Sequence, residues 1–216
     1  ATPGARRNAY ETMRALMNAA VADDRTLLTA NPLSIKGGAR EAHTIQKYLY
    51  SPAEVTALAA EMHARYRALV ILLADAGLRI NEALALTRSS IIEREDGGMS
   101  VRVERSLHRA GRHLEPGPTK TAAGVRTVVL MGATATALRE HLRHHVDEGP
   151  GAILFPTPSG SGFARDTALM RLLAAAHERA GIIIPEGMSG GWHALRHYSA
   201  TRYGQAGATT RALMTR

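Results

Sequence analysis

Three short segments of this chain concentrate side chains that could grip and cut a phosphate. The first runs Ala76-Gly77-Leu78-Arg79-Ile80-Asn81-Glu82-Ala83-Leu84-Ala85-Leu86 and sets Arg79 and Glu82 three residues apart, on one face of a helix. The second, Gly117-Pro118-Thr119-Lys120-Thr121-Ala122-Ala123-Gly124-Val125-Arg126, carries Lys120 among turn-forming residues. The third, Trp192-His193-Ala194-Leu195-Arg196-His197, again pairs two polar side chains at a spacing of three, His193 with Arg196. A guanidinium presents a fixed fork of donors that can bind two phosphate oxygens at once, which an ammonium cannot do. A lysine or histidine can move a proton. Taken alone, each segment also has an ordinary explanation: a surface ion pair on an amphipathic helix, a solvated turn lysine, and a helix start with a satisfied histidine.

The elements that must hold these residues are mostly helical. Apolar Tyr10, Met13, Leu16, Met17, Ala20 and Val21 follow a 3.6-residue period and predict a helix over about 5–22. Asn31-Pro32 closes the segment after it, and polar, glycine-containing Ile35–Gln46 reads as a linker. Ser51-Pro52-Ala53-Glu54 has the form of a capping box and opens a new domain. Helices are predicted to His63, from Arg65 to Ala76 with a break at Gly77, and from Ile80 to Leu86. Ile91–Arg94 and Met99–Glu104 alternate around Asp96-Gly97-Gly98 as a hairpin. A second hairpin is expected between Leu114–Thr119 and Arg126–Leu130, with Lys120 at its tip. Helices follow at about 133–147, 165–180 and 193–206, with a short loop or strand at Ile153–Phe155. The fold class is therefore mainly α with a small antiparallel β-sheet.

Composition narrows the function. Twenty-seven Lys and Arg against 19 Asp and Glu leave a net charge of +8, and the pI is about 10.4. That excess favours polyanions through phosphate contacts and counterion release. Aromatics at 4% argue against base-stacking platforms for single strands. The absence of cysteine excludes disulfides, thiolate zinc sites and a cysteine nucleophile. No apolar run approaches the roughly 18 residues of a membrane helix, so no membrane partner is expected.

In combination, the order Arg-x-x-Glu, Lys, His-x-x-Arg resembles the catalytic domain of the tyrosine recombinases, the phage-type integrases. Lys120 follows Arg79 by 41 residues and precedes His193 by 73, which fits that family, as do the segments AGLRINEALAL and HALRHYSATRYGQAG. The resemblance covers about residues 47–216 and implies the tyrosine recombinase catalytic-domain fold over 48–216. It implies that 1–34 is the last helix of a core-binding domain, with 35–47 as the linker.

The resemblance further implies a site-specific recombinase that cleaves and rejoins DNA through a 3′-phosphotyrosyl intermediate, without metal or other cofactor. Arg79, Lys120, His193 and Arg196 would be catalytic. The arginines would stabilise the charge of a pentacovalent phosphorane, Lys120 would protonate the leaving 5′ oxygen, and His193 would assist. Glu82 and His197 would orient these groups. The implied partners are double-stranded DNA attachment sites, a homotetramer on paired sites, and accessory DNA-bending proteins. The family's nucleophilic tyrosine is expected beyond Arg216, so this fragment is expected not to cleave alone. Tyr198 and Tyr203 read as packing residues. A phage or mobile-element integrase is preferred to a chromosome resolvase.

Two other readings exist. One is a non-catalytic DNA-binding regulator of the same fold, against which the retained Arg79, Lys120, His193 and Arg196 argue. The other is a metal-dependent hydrolase resting on His141, His144 and His145, spaced i, i+3 and i+4. No fourth ligand is evident and Arg139 and Arg143 would repel a cation, so this helix face reads as solvated and the expected metal is none.

Overall fold

The computed structural model describes residues 3–23, 28–39, 46–111, 113–119 and 124–209. The chain divides into two units, Ala1–Gln46 and Lys47–Arg216. In the first, α1 (Pro3–Val21) is the predicted amphipathic helix. The chain after it folds back along α1. Asn31 donates from its side-chain amide to the Arg14 carbonyl at 3.0 Å and to Asn18 Oδ1 at 2.6 Å, and Gly38 lies against the Tyr10 ring.

The second unit is built around α3 (Ala64–Ala76). Its sequence ARYRALVILLADA buries Tyr66, Leu69, Val70, Leu72, Leu73 and Ala76, so apolar side chains face nearly every direction, as a central helix requires. Around it pack α2 (Pro52–Glu61), α5 (Gly132–His145) and α7 (Trp192–Gln205), while α6 (Asp166–Arg179) packs on α2. The α2 start has the expected capping box: Ser51 Oγ accepts from the Glu54 amide at 3.2 Å, and Glu54 Oε2 accepts from the Ser51 amide at 2.7 Å. The helix α4 (Ile80–Leu84) is shorter than predicted and ends in a tight turn through Ala85 and Leu86.

The strands are β1 (Gln46–Lys47), β2 (Ile91–Glu93), β3 (Met99–Val103), β4 (Arg105–Ala110), β5 (His113–Pro118), β6 (Arg126–Leu130) and β7 (Met188–Ser189). The β2–β3 hairpin is the one expected around Asp96-Gly97-Gly98. The second expected hairpin does not form. β6 pairs instead with β3, setting Met99 opposite Leu130, Val101 opposite Val128 and Val103 opposite Arg126. That register stacks the apolar alternate residues of both strands on the core face, which a β5–β6 pair would not do. β5 pairs with β4, a strand the sequence did not announce because only Leu107 in it is buried. Residues 153–155 make one isolated bridge, Thr87 to Ile153, and the Leu154 amide donates to the Leu86 carbonyl at 3.0 Å.

Candidate functional site

The break between α3 and α4 is where the site begins. Gly77 caps α3 in the left-handed region, at φ 63°, and a Cβ there would lie 3.0 Å from Ser199 Oγ on α7. Only glycine meets both conditions without strain. The Ser199 hydroxyl donates to the Asp75 carbonyl at 2.9 Å, and the Tyr203 hydroxyl to Asp75 Oδ1 at 3.0 Å. α7 thus docks on the C-terminal end of α3 through this seam. Its buried side is Trp192, Leu195, Tyr198 and Ser199, which leaves His193, Arg196 and His197 on the outer side.

Arg196 reaches across the seam and donates from Nη1 to the Gly77 carbonyl. Arg79, two residues beyond Gly77, occupies the N-cap position of α4 rather than a place within the helix. The sequence-predicted Arg79, Glu82 and Arg196 therefore converge. Arg79 Nη1 donates to Glu82 Oε1 at 2.8 Å while its own amide donates to Glu82 Oε2 at 3.0 Å. The Arg79 side chain is 44% exposed, and Glu82 beneath it only 2%.

A fourth residue, unassigned from sequence, completes the cluster. Arg126, at the start of β6, donates from Nη2 to Glu82 Oε2 at 2.9 Å and from Nη1 to the Gly124 carbonyl at 2.9 Å. Its side chain is 8% exposed. The signal for it was present: Arg126 shares the inward face of a period-2 strand with Val128 and Leu130.

Charge follows from these contacts. Burial pushes the Glu82 carboxyl up, but hydrogen bonds from Arg126, the Arg79 amide and the Arg79 guanidinium outweigh it and hold Glu82 below the usual carboxylate range. Burial lowers Arg196 from its ordinary value, the charge of Arg79 lowers it further, and Glu82 opposes both. Three guanidiniums surround one carboxylate, so the cluster carries a positive excess that a bound anion would relieve.

His193 stands exposed in the first turn of α7, three residues before Arg196, and His197 is exposed beside it. Lys120 lies outside the described residues. The strands on either side of it, β5 and β6, belong to different sheets. At the base of that connection Gly124 sits against Thr119, 2.6 Å from where a Cβ would be.

The histidine cluster does not converge. His141 is 3% exposed, its Nε2 is 2.8 Å from the Leu154 carbonyl oxygen, and its ring stacks on Phe155. It is a core residue rather than part of a solvated face, because it continues the buried stripe of Ala135 and Leu138. His144 lies 3.2 Å from Glu140. Among the described residues no group of three or more His, Cys, Asp or Glu is arranged to hold a metal.

A helical unit around a central helix, with a three-stranded antiparallel sheet and an arginine cluster at its edge, is the tyrosine recombinase catalytic fold. It superimposes on the Tn1549 transposon integrase in complex with transposon right end DNA, with TM-score 0.80 at 19% identity over 100% of this chain and 71% of that one. Residues 48–216 match the phage integrase family. Over 99% of its length the chain is 35% identical to the integrase of Mycobacterium phage D29, and over 100% it is 32% identical to the putative prophage phiRv2 integrase of Mycobacterium tuberculosis H37Rv. The chain belongs to the phage integrase family of tyrosine recombinases. It spans 55% of the length of each of these two relatives. Among the described residues no helix is long and apolar enough to cross a membrane.

Proposed function

We propose that the chain is the phosphate-gripping part of a site-specific integrase that cuts and rejoins double-stranded DNA through a 3′-phosphotyrosyl intermediate, without metal. The observation that carries this reading is the convergence of Arg79 and Arg196 on the Gly77 turn. Two half-desolvated cations held side by side repel each other, and a phosphate between them turns that cost into binding. In the cleavage step a tyrosine hydroxyl gives its proton to His193 as its oxygen attacks phosphorus, the P–O5′ bond breaks, and Lys120 gives a proton to the departing oxygen. Glu82 and His197 orient their neighbours. Rejoining reverses each transfer. Residues 1–34 carry, in α1, the last helix of a core-binding domain, and the working assembly is a tetramer on paired attachment sites with DNA-bending proteins as accessories. Likeness to integrases of mycobacteriophages and of a transposon supports the mobile-element origin.

The nucleophile is not among the six tyrosines of this chain. Tyr50, Tyr66 and Tyr198 are buried, and the hydroxyls of Tyr10, Tyr48 and Tyr203 are bonded to Leu33, Glu54 and Asp75 respectively. Incubating the full-length protein, in chelator, with an attachment-site duplex nicked beside the cut position should trap a covalent adduct on a DNA 3′ phosphate. The present chain should trap none. Bound DNA with no adduct from the full-length protein would overturn the reading, and an adduct mapped to Tyr203 would overturn the assignment of the nucleophile.

A further inference from the structure

We propose that Arg126 is a third arginine of the site, a positioning residue that neutralises Glu82 from behind so that Arg79 keeps its charge for the DNA phosphate. The inference rests on the integrase reading above and extends it to a residue outside the Arg, Lys, His-x-x-Arg set.

The geometry assigns the role. Glu82 has two oxygens in a nearly sealed position, and between them they accept from Arg79 Nη1, the Arg79 amide and Arg126 Nη2. If Arg79 were the only cation on Glu82, the two would form a closed ion pair with no net charge. Arg79 would then meet a phosphate as one end of a dipole. With Arg126 present, the carboxylate is shared and the set Arg79, Arg126, Arg196 and Glu82 carries two net positive charges. Arg79, at the N-cap of α4, is 44% exposed and Arg196 on α7 lies against the Gly77 carbonyl, while Arg126 reaches Glu82 from β6. Arg126 is held to that task at its other nitrogen by the Gly124 carbonyl, and its buried Nε has no hydrogen-bond partner among the described residues. A lysine could supply the charge but not the span from Glu82 to Gly124.

Burial alone would raise the Glu82 carboxyl, and the Arg126 hydrogen bond is the largest of the influences opposing it. Arg79 and Arg196 are the other charged groups facing it. Replacing Arg126 by methionine, which keeps length and removes charge, should therefore let Glu82 take up a proton at higher pH.

Two arms test this. In the first, the carboxyl carbon of Glu82 is followed by NMR in the present chain, assigned with Glu82→Gln. Its titration midpoint should lie below that of an ordinary glutamate in the wild type, rise by one unit or more in Arg126→Met, and stay low in Arg126→Lys. An unchanged midpoint in Arg126→Met overturns the proposal. In the second, the full-length protein cleaves a nicked attachment-site duplex across pH 5.5 to 8. Arg126→Met should cleave at least tenfold more slowly at the upper end of that range while binding DNA within a few-fold of wild type, with the deficit shrinking toward low pH as Glu82 takes up a proton and releases Arg79. Arg126→Lys should recover part of the rate. A rate equal to wild type, or a deficit flat in pH, overturns the proposal. If the wild type forms no adduct, the integrase reading fails, while the titration arm still decides the link from Arg126 to Glu82. If Arg126→Met does not fold, Arg126→Gln, which keeps a donor and removes the charge, carries both arms: an unchanged Glu82 midpoint or a rate equal to wild type overturns the proposal.

Discussion

Glu82 and His141 are both buried polar side chains, and they meet burial in opposite ways. Glu82 stays ionised because its hydrogen bonds go to cations. His141 stays neutral because burial lowers it to about 4, and the carbonyl of Leu154, which pulls the other way, does not offset that. The sign of the consequence is fixed. The unfolded histidine titrates near its ordinary 6.5, so stability is full above that value and drains as pH falls from about 6.5 toward 4. Between pH 7 and pH 5 the loss from this group is about 2 kcal/mol, or a fall of roughly 4–8 °C in melting temperature. Thermal unfolding at the two pH values should show it, and His141→Gln should have a visibly flatter pH dependence. An equal slope in the variant would show that other groups carry the acid sensitivity. At this scale the sequence was most legible where spacing alone sets the meeting, as for Arg79 with Glu82. It was misread at His141, where the i, i+3, i+4 grouping with His144 and His145 hid the longer stripe through Ala135 and Leu138. Its signal for Arg126, the shared inward face with Val128 and Leu130, was easy to pass over because a strand-opening arginine resembles a solvated one until that face is known.

Elements position the site through one seam, α3 against α7 at the Gly77 turn. Gly77→Ala places a side chain at positive φ and pushes on Ser199, and should cost about 1–2 kcal/mol. The measurement is chemical denaturation of both forms. Gly151→Ala is the control, since a Cβ there meets nothing within 4 Å. Equal stability of Gly77→Ala and wild type would mean the turn is not under the constraint described. The helices were readable because caps, breaks and 3.6-residue stripes are local signals. Strand partners were less so. Leu114–Thr119 and Arg126–Leu130 are neighbours in sequence, and the turn residues between them suggested a hairpin. Pairing was decided instead by which strand could continue the apolar rows of Met99, Val101 and Val103, and by the strand Arg105–Ala110, whose alternation is nearly invisible because so little of it is buried.

At the scale of the molecule, a net charge of +8 favours polyanions through phosphate contacts and counterion release. The present chain should bind duplex DNA weakly and with little sequence preference, and log Kd should rise linearly with log salt at a slope near 0.9 per phosphate contacted. Fluorescence anisotropy with two unrelated duplexes at several salt concentrations checks this, and a flat salt dependence would contradict it. The central claim is that Arg196 grips a phosphate more tightly in the transition state than in the bound ground state. The direct measurement is the single-turnover cleavage rate and the DNA affinity of full-length Arg196→Lys beside wild type. Lysine keeps the charge and loses the fork. The account predicts a rate about 10²–10³-fold lower with affinity within a few-fold; a rate within a few-fold of wild type would contradict it.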